Sequence, residues 1–166
     1  MPTKDNLQAA FAGESQANRK YLAFAKKAEA DGFPQVARLF RAVAEAETIH
    51  AHAHLRAMGG VHATADNLKA AIDGEKYEFT EMYPAFIKEA EAEGEKQAVR
   101  SMTHANEVEK VHHDLFTKAL QAVESGKDLA DLPVYVCPVC GHTEIGTPPD
   151  NCPICNVKGE RFSTIN

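Results

Sequence analysis

The sequence predicts an all-α helical bundle followed by a small metal-binding module. Residues 4–125 are rich in Ala, Glu, Lys and Leu and contain only two prolines, a composition typical of long helices. After residue 126 the composition changes to Pro, Gly, Cys and β-branched residues. We therefore expect the bundle over residues 1–125, a linker over 126–134 and a compact second unit over 135–166.

Breaks in the helical pattern divide the bundle into four segments. Glycine or proline marks each break, at Gly32-Phe33-Pro34, Gly59-Gly60 and Gly94. The predicted helices cover about 4–31, 34–58, 65–93 and 95–125. Pro84 falls inside the third segment, where the apolar pattern continues through Phe86. It therefore predicts a kink in that helix and not its end.

Composition and charge exclude several classes of function. The chain of 166 residues has a formal net charge of −6, which argues against a general affinity for nucleic-acid backbones or anionic lipids. No stretch approaches the roughly 18 apolar residues of a membrane span, and the polar N-terminus lacks the apolar core of a signal peptide. We therefore expect a soluble protein in the cytoplasm.

The bundle contains an internal repeat. The segment NLQAAFAGE at residues 6–14 matches NLKAAIDGE at residues 67–75, and the spacing of Gly, Gln and Arg after the first helical segment recurs after the third. We interpret the bundle as two helical hairpins built on one plan. Chance similarity between alanine-rich helices is the alternative.

A carboxylate interrupts the apolar stripe of each helix where a core residue is expected. Each hairpin has one Glu followed 33 or 34 residues later by Glu-x-x-His, a spacing that places the second Glu and the His side by side on one helix face. The six residues are Glu14, Glu47, His50, Glu75, Glu109 and His112. Because unpaired buried carboxylates cost several kcal/mol, we expect bound metal ions between them, as in di-iron and di-manganese carboxylate bundles.

Other polar residues fit the site less firmly. Glu78 lies one turn beyond Glu75 and is either a seventh ligand or a surface charge, and Tyr21 and Tyr83 follow the repeated Glu at similar distances. The remaining histidines lack the paired pattern and are expected at the surface or around the site: His52, His54, His62, His104 and His113. A zinc site from His50 and His54 lacks the intervening Glu typical of metalloproteases.

All 4 cysteines lie in one CxxC-x11-CxxC pattern, which indicates metal ligation in a reducing compartment and not a disulfide framework. The expected ligands are Cys137, Cys140, Cys152 and Cys155. This spacing is a strong signal for a tetrahedral site that holds either zinc or a single iron. Gly141 and Asn156, one after each pair, accept the left-handed backbone that lets amides point at thiolates.

Together these motifs resemble the rubrerythrins. The resemblance covers essentially the whole chain and is carried by AFAGESQA at 10–17, ETIH at 47–50, GEKYEFTEMYP at 74–84, EKVH at 109–112 and the CPVCG…CPIC tail. It implies a ferritin-like four-helix bundle with a non-haem di-iron site, followed by a rubredoxin-type domain with one iron on four cysteines. The implied activity is that of a peroxidase, the reduction of hydrogen peroxide to water in defence against oxidative stress.

The resemblance also implies roles for single residues. Glu14, Glu47, Glu75 and Glu109 would be iron ligands with the two imidazoles, one iron would exchange between His50 and Glu78 with its oxidation state, and Tyr21 and Tyr83 would hydrogen-bond around the site. Electrons would enter through the four-cysteine iron from a rubredoxin-type or nicotinamide-linked reductase. Two alternatives remain: iron oxidation for detoxification or storage, and a binding module with zinc on the cysteines.

The connection between the hairpins is short for a ferritin-like bundle, in which the second and third helices run parallel. The connection must return about 26 Å along the bundle axis, which is the length of helix from His50 to the end of the second helix plus that from the start of the third helix to Glu75. Residues 59–66 extend to only about 26–29 Å, and they must also step sideways. We therefore predict a domain-swapped homodimer. Each di-iron site would take Glu14, Glu47 and His50 from one chain and Glu75, Glu78, Glu109 and His112 from the other.

Overall fold

The computed structural model describes residues 2–165, and the chain divides into one compact unit that ends at His62 and another that begins at Ala63. The α-helices are α1 (Pro2–Ala30), α2 (Pro34–Ala57), α3 (Thr64–Tyr77), α4 (Tyr83–Glu93) and α5 (Lys96–Glu124). A π-helical turn, Glu78–Met82, joins α3 to α4. These boundaries lie within about two residues of the predicted segments, as expected where Gly and Pro punctuate a helical pattern.

The first unit is the hairpin of α1 and α2. Its turn ends α1 with Gly32 at a φ of 84°, and the Phe33 N–H donates to the Ala28 carbonyl over 2.8 Å, the arrangement of a Schellman cap. Buried alanines, among them Ala37 and Ala44, line the helix contact. Such small side chains let the two backbones approach closely enough for side chains of one helix to reach the backbone of the other.

The second unit begins with a second hairpin, in which α3, the π-helical turn and α4 pack against α5. As predicted, the helical chain continues through Pro84, which is the second residue of α4, and the π-helical turn ends two residues before it. Proline has no N–H to donate. The N–H of the preceding residue, Tyr83, donates to the carbonyl of Glu78, five residues back and not four. The turn is therefore wider than an α-helical turn at the point where the regular hydrogen-bond ladder is interrupted.

A three-stranded antiparallel sheet forms the C-terminal part of the second unit. Its strands are β1 (Val134–Val136), β2 (Thr143–Ile145) and β3 (Ser163–Ile165), in the order β2-β1-β3. The sheet lies against α5 through β2, and a Cβ built on Gly141 would lie 3.9 Å from Cγ1 of the buried Val108 on α5. The chain before β2 therefore reaches the helix that carries Glu109 and His112.

Many large apolar side chains remain exposed on the helices, whereas the buried core consists mainly of alanine. Four examples from α2 and the turn before it are Phe33 at 60%, Val36 at 46%, Leu39 at 63% and Ile49 at 58% exposure. Exposed apolar area of this extent is typical of a surface that meets another surface. No helix among residues 2–165 is long and apolar enough to cross a membrane.

Candidate metal centres

The first unit brings three predicted ligands together. Glu14 from α1 and Glu47 and His50 from α2 place one ligand atom each within 4.8 Å of one another. The Nδ1 atom of His50 lies 2.9 Å from Oε2 of Glu47, as the i, i+3 spacing predicts. The Glu47 side chain is 15% exposed and that of His50 is 54% exposed, so this cluster opens toward the solvent on the imidazole side.

The second unit brings the repeat-related residues together in the same way. Glu75 from α3 and Glu109 and His112 from α5 form a cluster with the same 4.8 Å limit. His112 Nδ1 lies 2.7 Å from Glu109 Oε2 and 3.8 Å from Glu75 Oε2. All three side chains are partly buried. One imidazole nitrogen is therefore directed at two carboxylates, which is the geometry expected of ligands that share one ion.

The second cluster carries more negative charge than its surroundings neutralise. Burial, then a hydrogen bond and charge repulsion from Glu109, raises the pKa of Glu75 from 4.5 to about 7. Burial and the charge of Glu75 also raise the pKa of Glu78. For Tyr83, burial followed by the charges of Glu109, Glu78 and Glu75 raises the pKa. Burial is the largest cause of all three shifts, and a bound cation would offset the charge repulsion that adds to it.

The donor sets fit iron. Each cluster offers two carboxylates and one imidazole, hard and borderline ligands that suit iron or manganese. In the second cluster, two carboxylates close enough to hydrogen-bond to each other need either a shared proton or a cation. The hydrogen bond with Glu109 that helps raise the pKa of Glu75 marks the place that a metal ion would take.

The other predicted site residues occupy different environments. Glu78 is the first residue of the π-helical turn and lies close enough to Glu75 and His112 for their charges to act on it, although it is not a member of the 4.8 Å cluster. Tyr83 begins α4 beside the same carboxylates. Tyr21 lies in the first unit among aromatic rings, 6.3 Å from the ring of Phe24 between centroids.

The four cysteines converge at one point, as predicted. The Sγ atoms of Cys137 and Cys155 are 3.6 Å apart and those of Cys140 and Cys152 are 3.5 Å apart, and all four lie within 4.8 Å of one another. Each CxxC pair forms the same turn: Gly141 donates to the Cys137 carbonyl over 3.0 Å and Asn156 to the Cys152 carbonyl over 2.9 Å. The expected left-handed residues are confirmed, with φ of 87° at Gly141 and 61° at Asn156.

Backbone amides set the acidity of the thiols. Burial alone would raise the pKa of Cys137, but hydrogen bonds from the backbones of Cys140 and Val139 bring it down to about 7. Burial raises the pKa of Cys140 and of Cys155. Only a thiolate ligates a metal. Backbone amides favour the thiolate of Cys137, whereas Cys140 and Cys155 need the positive charge of an ion, which fits a four-thiolate site for iron or zinc.

Sequence reasoning missed one contact. Thr143, the first residue of β2, places its Oγ1 3.1 Å from Nε2 of His112. The same hydroxyl lies 3.2 Å from the carbonyl of Gly141, to which it donates. Thr143 follows the first CxxC pair and lies 31 residues from His112, so neither helical periodicity nor ligand spacing could have indicated it.

The fold and the clusters together define a class of protein. Helical hairpins that carry Glu and Glu-x-x-His on inward-facing positions are typical of ferritin-like dimetal proteins. A small sheet that closes two CxxC turns around four thiolates is typical of rubredoxin-like domains. This chain joins the two in one polypeptide.

Comparison with known proteins places the chain within that class. The rubrerythrin family model matches residues 5–120, and the model of the rubredoxin-like domain of rubrerythrins matches residues 135–163. Rubrerythrin-2 of Clostridium acetobutylicum is 38% identical over 98% of this chain and 96% of its own length. Nigerythrin of Nitratidesulfovibrio vulgaris is 37% identical over 92% of this chain and 81% of its own length.

Solved structures lead to the same assignment. The structure of nigerythrin in its mixed-valence state is similar with a TM-score of 0.60 at 36% identity, over 98% of this chain and 86% of that chain. The structure of fully reduced, all-ferrous nigerythrin has the same TM-score at 35% identity. The chain belongs to the rubrerythrin family, and the predicted ferritin-like fold with a rubredoxin-like module is confirmed.

Proposed function

We propose that this protein is a rubrerythrin-type peroxidase, which reduces hydrogen peroxide to water at a non-haem di-iron site. Two ferrous ions held by these residues would supply the two electrons that cleavage of the O–O bond requires, and two protons would complete two molecules of water. The observation that carries the proposal is the presence in one chain of carboxylate–imidazole clusters and a four-thiolate site whose module contacts a ligand of the second cluster. A site with both parts can be recharged one electron at a time after each turnover.

The residues have distinct proposed roles. The two irons would be held by Glu14, Glu47, His50, Glu75, Glu109 and His112. A single iron, which zinc can replace, would be held by Cys137, Cys140, Cys152 and Cys155. Glu78 would exchange with His50 as a ligand of one iron, and its place close to Glu75 supports this role. Tyr83 lies near three of the carboxylates, where its hydroxyl can donate to bound peroxide, and Tyr21 has the corresponding role on the first hairpin.

The assembly we propose is a domain-swapped homodimer. Each cluster supplies three ligands, fewer than two irons with hard oxygen donors require, so two clusters must combine. From His50 to the end of α2 and from the start of α3 to Glu75 the helices climb about 27 Å. The connection from Ala57 to Thr64 spans at most about 25 Å when fully extended. If both clusters of one chain formed a single site, this connection would have to span the whole climb, which is longer than its full extension. Pairing each cluster with that of a second chain removes this conflict. The exposed apolar residues of α2 support such an interface between chains.

The domain boundaries and partners follow from the same proposal. Residues 1–125 form the bundle half, 126–134 the linker and 135–166 the rubredoxin-like domain. The electron donor is a separate rubredoxin or reductase. Four cysteines gathered as ligands and not as disulfides support a reducing compartment such as the cytoplasm.

Rapid mixing tests the activity against iron oxidation by oxygen. The protein, reduced under anaerobic conditions with iron in all sites, is mixed with hydrogen peroxide or with oxygen, and oxidation is followed by absorbance. We expect the reaction with peroxide to be faster. Glu75→Gln should slow this reaction, while the four-thiolate iron of the variant still gives its ferric absorption once it is oxidised. Faster oxidation by oxygen would favour iron detoxification or storage, and a colourless protein with zinc on the cysteines would favour a binding module.

A further inference from the structure

The contact between Thr143 and His112 links the two kinds of metal site. Nδ1 of His112 is directed at Glu109 and Glu75, so Nε2 is the nitrogen on the far side of the ring. That nitrogen lies 3.1 Å from the Thr143 hydroxyl. Thr143 belongs to the module that carries the cysteines, and Gly141, its second partner, directly follows Cys140.

The hydrogen bonds of the threonine have a defined direction. A hydroxyl has one proton to donate, and a backbone carbonyl can only accept. Thr143 donates to Gly141, so its oxygen is free to accept a hydrogen bond from His112 when Nε2 carries the ring proton. In that tautomer the lone pair of His112 is on Nδ1, facing the carboxylates, which is the tautomer that a metal ion bound at Nδ1 would require.

The repeat provides an internal comparison. His50 also directs Nδ1 at its neighbouring carboxylate, Glu47, but within residues 2–165 no hydrogen bond is made by its Nε2. In the single chain its side chain is also twice as exposed as that of His112, at 54% against 27%. Two histidines that derive from one plan thus differ in how firmly each ring is held.

We propose that Thr143 is a positioning residue that holds His112 as the permanent imidazole ligand and leaves His50 as the exchangeable one. This inference rests on the proposed function only in that metal occupies the carboxylate–histidine sites. An imidazole ring held at both nitrogens keeps its orientation when the coordination of its ion changes, whereas a ring held at one nitrogen can rotate away from the ion. The docked four-cysteine module, through one hydroxyl, thus helps determine which ligand moves.

Proton NMR of the full-length protein, with zinc on the cysteines and cobalt(II) in the carboxylate–histidine sites, tests this role without turnover. Imidazole N–H protons of cobalt-bound histidines give shifted resonances whose exchange with water can be followed. We expect one slowly exchanging resonance and one rapidly exchanging resonance in the wild type. Thr143→Val should abolish the slow one and weaken cobalt binding by about 10-fold to 100-fold, the usual effect of losing a hydrogen bond to a metal-bound histidine.

Two further variants separate positioning from folding. Thr143→Ser keeps a hydroxyl and should restore the slow resonance. Thr117→Val removes a hydroxyl from α5 that donates to the His113 carbonyl and should leave the resonances unchanged. Retention of the slow resonance in Thr143→Val, or its loss in Thr143→Ser, would overturn the inference while the proposed peroxidase stands. Failure of the wild type to bind cobalt in these sites would overturn both.

Discussion

Replacing Glu75 tests whether the second cluster is built around a cation. Burial and the neighbouring Glu109 raise the pKa of Glu75 to about 7, so ionising this side chain in the folded protein costs free energy. We predict that Glu75→Gln stabilises the protein when the carboxylate–histidine sites contain no metal. Glutamine keeps a neutral hydrogen-bonding group of the same size and does not ionise.

The magnitude follows from the pKa shift. A rise from 4.5 to about 7 corresponds to about 3 kcal/mol at about 1.36 kcal/mol per unit. The Glu75 side chain is 19% exposed, so solvent screening lowers this only to about 2–3 kcal/mol. Because the pKa is raised on folding, the stabilising contribution is complete below about pH 4.5 and is lost as the pH rises through about 7.

Urea unfolding followed by circular dichroism between about pH 4.5 and pH 8.5 measures the effect. Zinc is kept on the cysteines, the other sites are stripped of metal, and the protein concentration is held constant. The free energy of unfolding of the wild type should fall relative to Glu75→Gln across this interval and stay lower above it. Glu89→Gln, which removes an exposed charge from α4, is the matched control.

Two results would refute the reasoning: parallel pH profiles for the wild type and Glu75→Gln, or a variant that is less stable than the wild type at pH 8. With iron or cobalt bound, the order should reverse, because the variant lacks a carboxylate ligand. Metal affinity of the wild type should rise with pH through about 7, since the ion must displace the proton that Glu75 holds.

Two other predictions concern packing and assembly. A Cβ on Gly159 would lie 1.8 Å from the Pro149 carbonyl oxygen, so Gly159→Ala should cost at least about 2 kcal/mol and loosen metal on the cysteines, measured by chelator competition. A Cβ on Gly13 would have nothing within 4 Å, so Gly13→Ala should instead stabilise α1 by about 0.5–1 kcal/mol. If the two variants changed the free energy of unfolding equally, the close packing at Gly159 would be contradicted. Inserting about six Gly and Ser residues after Gly60 should yield monomers with intact metal sites by sedimentation, whereas a wild type already monomeric and loaded with iron would reject the swap.

Local regularities made much of this structure predictable. A helix repeats every 3.6 residues, so the periodic stripes and the Gly and Pro breaks located the helices and indicated which Glu and His share a face. The pairs Glu47–His50 and Glu109–His112 lie one turn apart on one helix and contact each other as that spacing requires. The two CxxC turns were equally predictable, since each forms within a few residues and needs a left-handed residue at its end.

Other features depended on how distant segments pack. The π-helical turn at Glu78–Met82 lies just before Pro84, and the sequence predicts only that the helix is irregular there. The contact of Thr143 with His112 requires the cysteine module to dock on α5 across 31 residues. The sequence by itself therefore determined the elements, the Glu-x-x-His pairs and the two CxxC turns, because these follow from local chain geometry. Only the tertiary structure decided which groups hold the ligands and how strongly neighbouring carboxylates perturb one another, because hydrogen bonding and repulsion act through space and not along the chain.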